Sequence, residues 1–204
     1  ELLRLRPGVG EAVPTTVSAA ISARVERLPA STRRVLALAA VLGREFAPPL
    51  LAVLDGSPSE EIDARLGPAV TGGLVRPNAD AAGRHGYRFT HVLVREALYD
   101  AIPPSRRSAL HDLVVRTLEG SAAPSATGPS DLGGPSDLAS HAIKAVRTLD
   151  ERRRAIRLAV RAAELARGRL AHEEAADWFG RALDLGIDSD DERFELLVEF
   201  GRSA

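Results

Sequence analysis

Apolar residues recur every three or four positions along most of the chain, a spacing that predicts a succession of amphipathic helices. Four such helices are predicted before Gly72 and Gly73, with proline or glycine near the end of each. They cover residues 15–28, 31–42, 48–55 and 58–71, and Ser31 is a predicted cap. The second is apolar almost all round, which is typical of a helix buried at the centre of a fold.

The spacing then changes to short alternating stretches, "LVRP" and "GYRFT", joined by the polar loop "NADAAGRHG". This pattern predicts a β-hairpin with a flexible tip. The chain returns to helical spacing at His91, and a further helix, 105–119, follows Pro103 and Pro104. Helices followed by a hairpin and another helix are the element order of a winged-helix domain, which we place at residues 15–120.

The second half of the chain is predicted to be entirely helical after a stretch rich in Gly, Ser, Pro and Ala. That stretch, 121–136, has the composition of a flexible linker, as does the segment 1–14 with its prolines and glycines. The predicted helices are 137–147, 151–168, 171–185 and 190–202.

Small residues on two of these helices predict close pairing, with Phe179 filling the groove beside them. They are Ala159, Ala162, Ala163, Ala166, Ala175 and Ala182. The spacing fits a tetratricopeptide-type (TPR-like) repeat of about 34 residues, although the expected proline is missing near Ile187. The fold class expected is therefore mainly α: a winged-helix domain with a small β-hairpin, then TPR-like repeats at 137–204 that begin a longer array.

Composition narrows the class of protein. A net charge of -1 argues against a general polyanion binder. The lack of cysteine excludes disulfides, thiolate metal sites and a cysteine nucleophile. No apolar run approaches the roughly 18 to 20 residues that span a bilayer, so we expect a cytoplasmic protein without membrane contact. Methionine is absent and both ends have helical spacing, so we expect a piece of a longer protein.

Motifs for catalysis are missing from the sequence. There is no phosphate-binding loop, no H-E-x-x-H zinc motif and no G-x-S-x-G nucleophile elbow. The five histidines have no metal-ligand spacing, so we expect neither an enzyme nor a metal site. For His111 we expect a packing or hydrogen-bonding role, and for His141 and His172 a surface or inter-helix position.

A winged helix raises the alternative of DNA binding, with the helix at 58–71 as the reading helix. Its charged residues are Glu60, Glu61, Asp63 and Arg65, and this negative surplus would be repelled by phosphates. A DNA-binding winged-helix transcription factor with a helical dimerisation arm stays the alternative. A plain scaffold is a third hypothesis, and salt-dependent affinity for duplex DNA would favour the DNA-binding one.

His91 lies where the predicted hairpin ends and a helix begins. If Thr90 caps that helix, His91 stands in its first turn, where free backbone N–H groups and the helix dipole favour an anion such as phosphate. Arg95 follows one turn later on the same face and adds a charge-assisted donor. The other interpretation is that His91 only satisfies the hairpin backbone, and both remain open at this point.

Two long strings carry a resemblance to a known class of proteins. They are "PTTVSAAISARVERLPASTRRVLALAAVLGREF" and "YRFTHVLVREALYDAIPPSRRSALHDLVV". The region from about residue 14 to about 200 resembles the segment after the ATPase core in bacterial STAND-type regulators. These comprise large ATP-dependent LuxR-type regulators, antibiotic regulatory proteins and cyclase-linked ATPases. "AAVLGREF" and "RFTHVLVREALY" are the most specific parts.

The resemblance implies a winged helix that folds back on an upstream ATPase domain, where a histidine contacts the β-phosphate of ADP. Immune-type relatives of that class have Met-His-Asp where this chain has Thr90, His91 and Val92, so only the histidine is retained. The resemblance therefore implies His91 and Arg95 as cofactor-binding residues toward a phosphate that another domain holds. No cofactor is expected in this chain itself, and ATP or ADP is expected in the full-length protein.

The implied function is that of a nucleotide-state-sensing and signal-coupling part of a transcriptional regulator. The implied partners are the upstream ATPase domain and a signal protein or small-molecule effector on the helical repeats. DNA would be contacted only through another domain, and a nucleotide-dependent homo-oligomer is a further expectation. A phosphate-binding loop in the upstream sequence would support the resemblance.

Overall fold

The computed structural model describes residues 15–79, 85–120, 134–187 and 189–203. Within them the protein is mainly helical, with a small three-stranded antiparallel sheet. The elements before residue 121 are α1 (Thr15–Glu26), α2 (Ala30–Leu42), β1 (Glu45–Phe46), α3 (Pro48–Asp55), α4 (Ser59–Thr71), β2 (Val75–Ala79), β3 (His85–Phe89), α5 (Val92–Asp100) and α6 (Pro104–Gly120). They form what we call the N-terminal unit.

The elements after residue 133 form what we call the C-terminal unit. They are α7 (Pro135–Ala145), α8 (Leu149–Gly168), α9 (His172–Asp184) and α10 (Asp190–Ser203). Helix α7 begins at Pro135, two residues before its predicted start at 137, because a proline at the first helical position needs no N–H partner there. The predicted linker at 1–14, most of that at 121–136 and the hairpin tip lie outside the described residues.

Helix α2 is the centre of the N-terminal unit. Val35, Leu36, Ala39 and Ala40 are fully buried, as the nearly continuous apolar sequence predicts. The helix contacts α3, α4, α5 and α6. It ends at Gly43, whose φ of 151° belongs to a backbone conformation that residues with a side chain rarely adopt. A glycine at this position therefore suits the backbone conformation that ends α2.

The sheet has the order β1-β3-β2, with both pairs antiparallel. The hairpin of β2 and β3 was predicted, with Val75 opposite Phe89, whereas β1 was not. Strand β1 has two residues, too few for an alternating pattern to appear in the sequence. Its Phe46 is buried and lies 5.3 Å from the Phe89 ring, so an aromatic contact holds it in the sheet.

Two helix starts differ from the capping that the sequence predicts, which is by Ser31 for α2 and by Ser57 or Ser59 for α4. Pro29 rather than Ser31 occupies the N-cap of α2, and Pro58 precedes α4, in neither case with a side-chain bond. Ser57 instead donates to Asp55, 2.6 Å away. The Asp55 carboxylate is buried and also pairs with Arg34 at 2.7 Å and with Arg65. The Ser57 hydroxyl near the start of α4 therefore belongs to this buried carboxylate cluster and caps no helix.

The alanines predicted to pair α8 with α9 are buried, and Phe179 lies among them together with Trp178. Helix α8 begins with a capping box, in which Glu151 N–H donates to the Thr148 hydroxyl and the Glu151 carboxylate accepts from the Thr148 N–H. Small residues on both helices allow close approach, and Trp178 and Phe179 are the large side chains among the buried residues of this core.

The two units meet along α6 and α7. Val115 of α6, Ala142 of α7 and Ala155 of α8 share a small apolar cluster. At its edge the Arg154 guanidinium lies 3.2 Å from the Asp112 carboxylate and also bonds Glu119. Over the described ranges, no helix has the length and apolarity required to cross a membrane.

Candidate functional site

His91 occupies the N-cap of α5, with an extended backbone (φ −138°, ψ 142°). The prediction that Thr90 caps this helix is wrong, because the Thr90 hydroxyl donates to the carbonyls of Gly73 (2.9 Å) and Leu74 (3.1 Å) at the start of β2. The His91 imidazole is exposed and has no hydrogen-bond partner among the described residues. It stands beside the first N–H groups of α5, where a helix favours an anion.

Arg95 lies one turn after His91 on α5. Its Nε donates to the Ala40 carbonyl at 3.0 Å, and its guanidinium lies 5.5 Å from the centre of the Tyr99 ring. The Ala40 carbonyl belongs to the last turn of α2. The carbonyl groups of such a turn have no partners within their own helix and attract a cation. Arg95 therefore ties α5 to the end of α2, and its contact with a phosphate stays a prediction.

A buried chain of hydrogen bonds begins one further turn along α5. The Tyr99 hydroxyl lies 2.9 Å from His111 Nε2, and His111 Nδ1 lies 2.8 Å from His141 Nδ1. His111 is fully buried and His141 is 7% exposed. Three helices, α5, α6 and α7, are thereby linked through polar groups.

Hydrogen-bonding capacity limits where the protons lie along this chain. A neutral imidazole has one donor nitrogen and one acceptor nitrogen, so one of the two facing Nδ1 atoms carries a proton and the other accepts it. The Tyr99 hydroxyl can donate to His111 Nε2 or accept from it, so either direction of the bond between the rings is compatible with the bond to Tyr99.

The surroundings keep both rings neutral. Burial, followed by the charges of His141, Lys144, Arg95 and Arg107, lowers the pKa of His111 to about 3. Burial, followed by Lys144 and Arg95, lowers the pKa of His141 to about 4, although the nearby backbone of Leu42 opposes the shift. Neither ring acquires a charge near neutral pH, so the pair is a structural polar link between the units.

The sequence contained a signal for this pair. His111 shares a helical stripe with Val114, Val115 and Leu118, and His141 lies one turn before Ala145. Such positions face the core. The expected hydrogen-bonding role of His111 and inter-helix position of His141 are confirmed, and His172 is exposed at the start of α9. Their pairing was missed because 30 residues separate them.

The charged side chains of α4 are either acidic or already held in ion pairs. Arg65 pairs with Asp55 and Glu61. Asp63 accepts from the Tyr87 hydroxyl at 2.9 Å and lies 3.3 Å from His85 of β3. The basic side chain of this helix is thus held by carboxylates, and the helix offers no surplus of cations to a phosphate backbone.

Comparison with known proteins returns no match: no protein-family model, no curated protein and no solved structure is significantly similar to the chain. Across the described residues, no three His, Cys, Asp or Glu side chains lie together in a group that could hold a metal ion. The candidate site is therefore defined by geometry: the exposed His91 and, one and two turns along the same helix, Arg95 and Tyr99.

Proposed function

We propose that the chain is the nucleotide-state-sensing and signal-coupling part of an ATP-dependent STAND-type transcriptional regulator. In this proposal the N-terminal unit is a winged-helix domain that packs on an upstream ATPase domain. The C-terminal unit is the start of a TPR-like array that binds a signal protein or small-molecule effector. ATP or ADP is held by the ATPase domain, and DNA is contacted through another domain of a cytoplasmic protein that assembles in a nucleotide-dependent way.

One observation carries the proposal: His91, Arg95 and Tyr99 follow one another at four-residue spacing along one face of α5. The first is exposed at the helix start, the second holds the end of α2, and the third begins the chain to His141. A single short helix therefore connects an exposed anion-favouring corner with the first helix of the C-terminal unit.

The coupling follows from this connection. A phosphate at His91 would favour one position of α5, and that position would be favoured also by the intact bonds from Tyr99 to His111 and His141. A signal that shifts α7 would strain those bonds and weaken the phosphate contact by the same free energy. Such reciprocity is what a nucleotide switch with a distant signal site requires.

The alternative of direct DNA binding has less support. The helix that would enter the groove carries Glu60, Glu61 and Asp63 against Arg65, which is already paired with Asp55. Groove insertion would bring three carboxylates toward phosphates. Binding of duplex DNA by this chain at low salt would favour the alternative over the coupling role.

The proposal is tested with His91→Ala in the full-length protein, by measuring the ADP that copurifies with it and its basal activity. We expect ADP content to fall and basal activity to rise, because the phosphate loses a contact that holds the inactive state. His172→Ala, an exposed histidine on α9, is the matched control and should change neither. Unchanged ADP content and activity in His91→Ala would refute the sensor role.

A further inference from the structure

A groove of about 480 Å³ lies at the other end of α5, between α1, α2, α3 and the start of α6. Its volume falls in the range of small-molecule pockets. Its lining includes Val25, Ala37, Leu98, Arg33, Arg34 and Arg106. His91 opens α5 whereas the groove lies where α5 ends, so this is a second place and not the phosphate corner.

The floor of the groove is apolar. Leu38 of α2, Leu54 of α3, and Leu98 and Ile102 at the end of α5 present the outer atoms of side chains that are more than 90% buried. Val25 of α1 lies at its side. Such a floor gains free energy by covering hydrocarbon, at roughly 25 cal/mol for each Å² removed from water.

The polar residues lining the groove are three arginines, Arg33, Arg34 and Arg106. Arg34 pairs with the buried Asp55 at 2.7 Å. Arg33 and Arg106 are exposed, and neither side chain has an ion-pair partner within the described ranges. The guanidinium group suits a carboxylate, which it can bind through two parallel hydrogen bonds.

The position of these arginines runs against the usual distribution of charge in helices. Arg33 lies in the first turn of α2 and Arg106 in the first turn of α6, and neither first turn contains an acidic residue. A helix start carries positive dipole charge, so a cation there is disfavoured and an anion favoured. Two helices break this rule at one groove, and local rules are most often broken at functional sites.

We propose that this groove binds a small carboxylate with an aliphatic body, of the fatty-acid class. The carboxylate lies between Arg33 and Arg106 at the starts of α2 and α6, and the hydrocarbon covers Leu98 and its apolar neighbours. The positive charge of the groove selects an anionic ligand. A cationic amphiphile of the same length would be repelled by three guanidinium groups and by the positive dipole ends of two helices.

The test uses decanoate as the probe and measures its binding to the intact chain by isothermal titration calorimetry. Decyltrimethylammonium, with a chain of the same length and the opposite charge, is the ligand control. We expect decanoate to bind with one site per chain and the cation to bind at least tenfold more weakly. Equal binding of the two, or no binding of decanoate, would overturn the proposal.

Two variants locate the site. Arg33→Gln with Arg106→Gln removes both free cations and should weaken decanoate binding tenfold or more. Ala37→Phe fills the groove without changing charge and should abolish binding. The matched control is Arg153→Gln with Arg157→Gln, two exposed arginines of α8, which removes the same charge elsewhere.

An unchanged far-ultraviolet circular dichroism spectrum and an unchanged urea unfolding midpoint show that each variant is folded, since the helices of both units contribute to that spectrum. Weakening in the groove variants alone supports the assignment. Equal weakening in the α8 control would show attraction by net charge, and unchanged binding in both groove variants would show another site. Either result would contradict the proposal.

Discussion

The buried pair of His111 and His141 makes the stability of the protein depend on pH in a range where carboxylates contribute little. Both pKa values are lowered in the folded state, to about 3 and about 4, from an ordinary value of 6.5. In the unfolded chain both rings take up a proton as the pH falls through 6.5, while in the folded protein they stay neutral. The unfolded state then binds more protons, so stability is lost as the pH falls.

The size of the effect follows from the two pKa values. Each histidine contributes somewhat more than about 1 kcal/mol per pH unit once the pH is below 6.5, so the pair should cost about 3 kcal/mol between pH 6.5 and about pH 5. That is a large part of the 5 to 15 kcal/mol typical of a folded domain. Burial opposes ionisation of Asp55, but Ser57, Arg34 and Arg65 outweigh it and lower the pKa of Asp55 from 3.8. The contribution of Asp55 to stability is therefore lost only at a lower pH.

Urea unfolding followed by the fluorescence of Trp178, the single tryptophan of the chain, measures this loss at each pH. The double change His111→Gln and His141→Gln keeps polar groups at both positions but removes the titration, so the slope with pH should become nearly flat above pH 5. His172→Gln, at an exposed position, should leave the slope as it is. A wild-type stability that does not change between pH 6.5 and 5, or a slope that survives in the double variant, would refute the reasoning.

Three further predictions concern stability, and urea unfolding checks each of them. Asp55→Asn leaves Arg65 without its buried partner and should cost about 2 to 4 kcal/mol, less than for a fully buried pair because Arg65 is partly exposed. Phe179→Ala opens a cavity in the α8–α9 core and should cost about 3 to 5 kcal/mol, whereas Phe194→Ala, 68% exposed, should cost under about 0.5 kcal/mol. Thr148→Ala removes the capping box of α8 and should cost about 1 kcal/mol of unfolding free energy. An unchanged stability would contradict this prediction.

The helices could be predicted from the sequence because their apolar spacing and their breaks are local features. The predicted hairpin is observed for the same reason, with Val75 opposite Phe89. Strand β1 could not be predicted, since it exists only through pairing with β3 and the packing of Phe46. The capping by Ser31 and Thr90 was predicted wrongly: α2 begins at Ala30, ahead of Ser31, and the Thr90 hydroxyl bonds the carbonyls of Gly73 and Leu74.

The candidate site was only partly visible in the sequence. His91 and Arg95 stood out because they lie one turn apart at the start of the helix predicted after the hairpin. The contact of Arg95 with the Ala40 carbonyl, however, depends on how α5 packs on α2. The bond between His111 and His141 likewise requires the C-terminal unit to meet α6. Periodicity places both histidines on buried faces, and only the packed structure shows that they face each other.

The central claim is that α5 transmits the nucleotide state to the C-terminal unit through Tyr99, His111 and His141. Amide hydrogen exchange of residues 135–145 in the full-length protein, with ADP and then with ATP bound, tests it most directly. We predict slower exchange of α7 in the ADP state, and a difference that disappears in Tyr99→Phe, which lacks the hydroxyl bonded to His111. The same exchange of α7 in both nucleotide states of the wild-type protein would contradict the account.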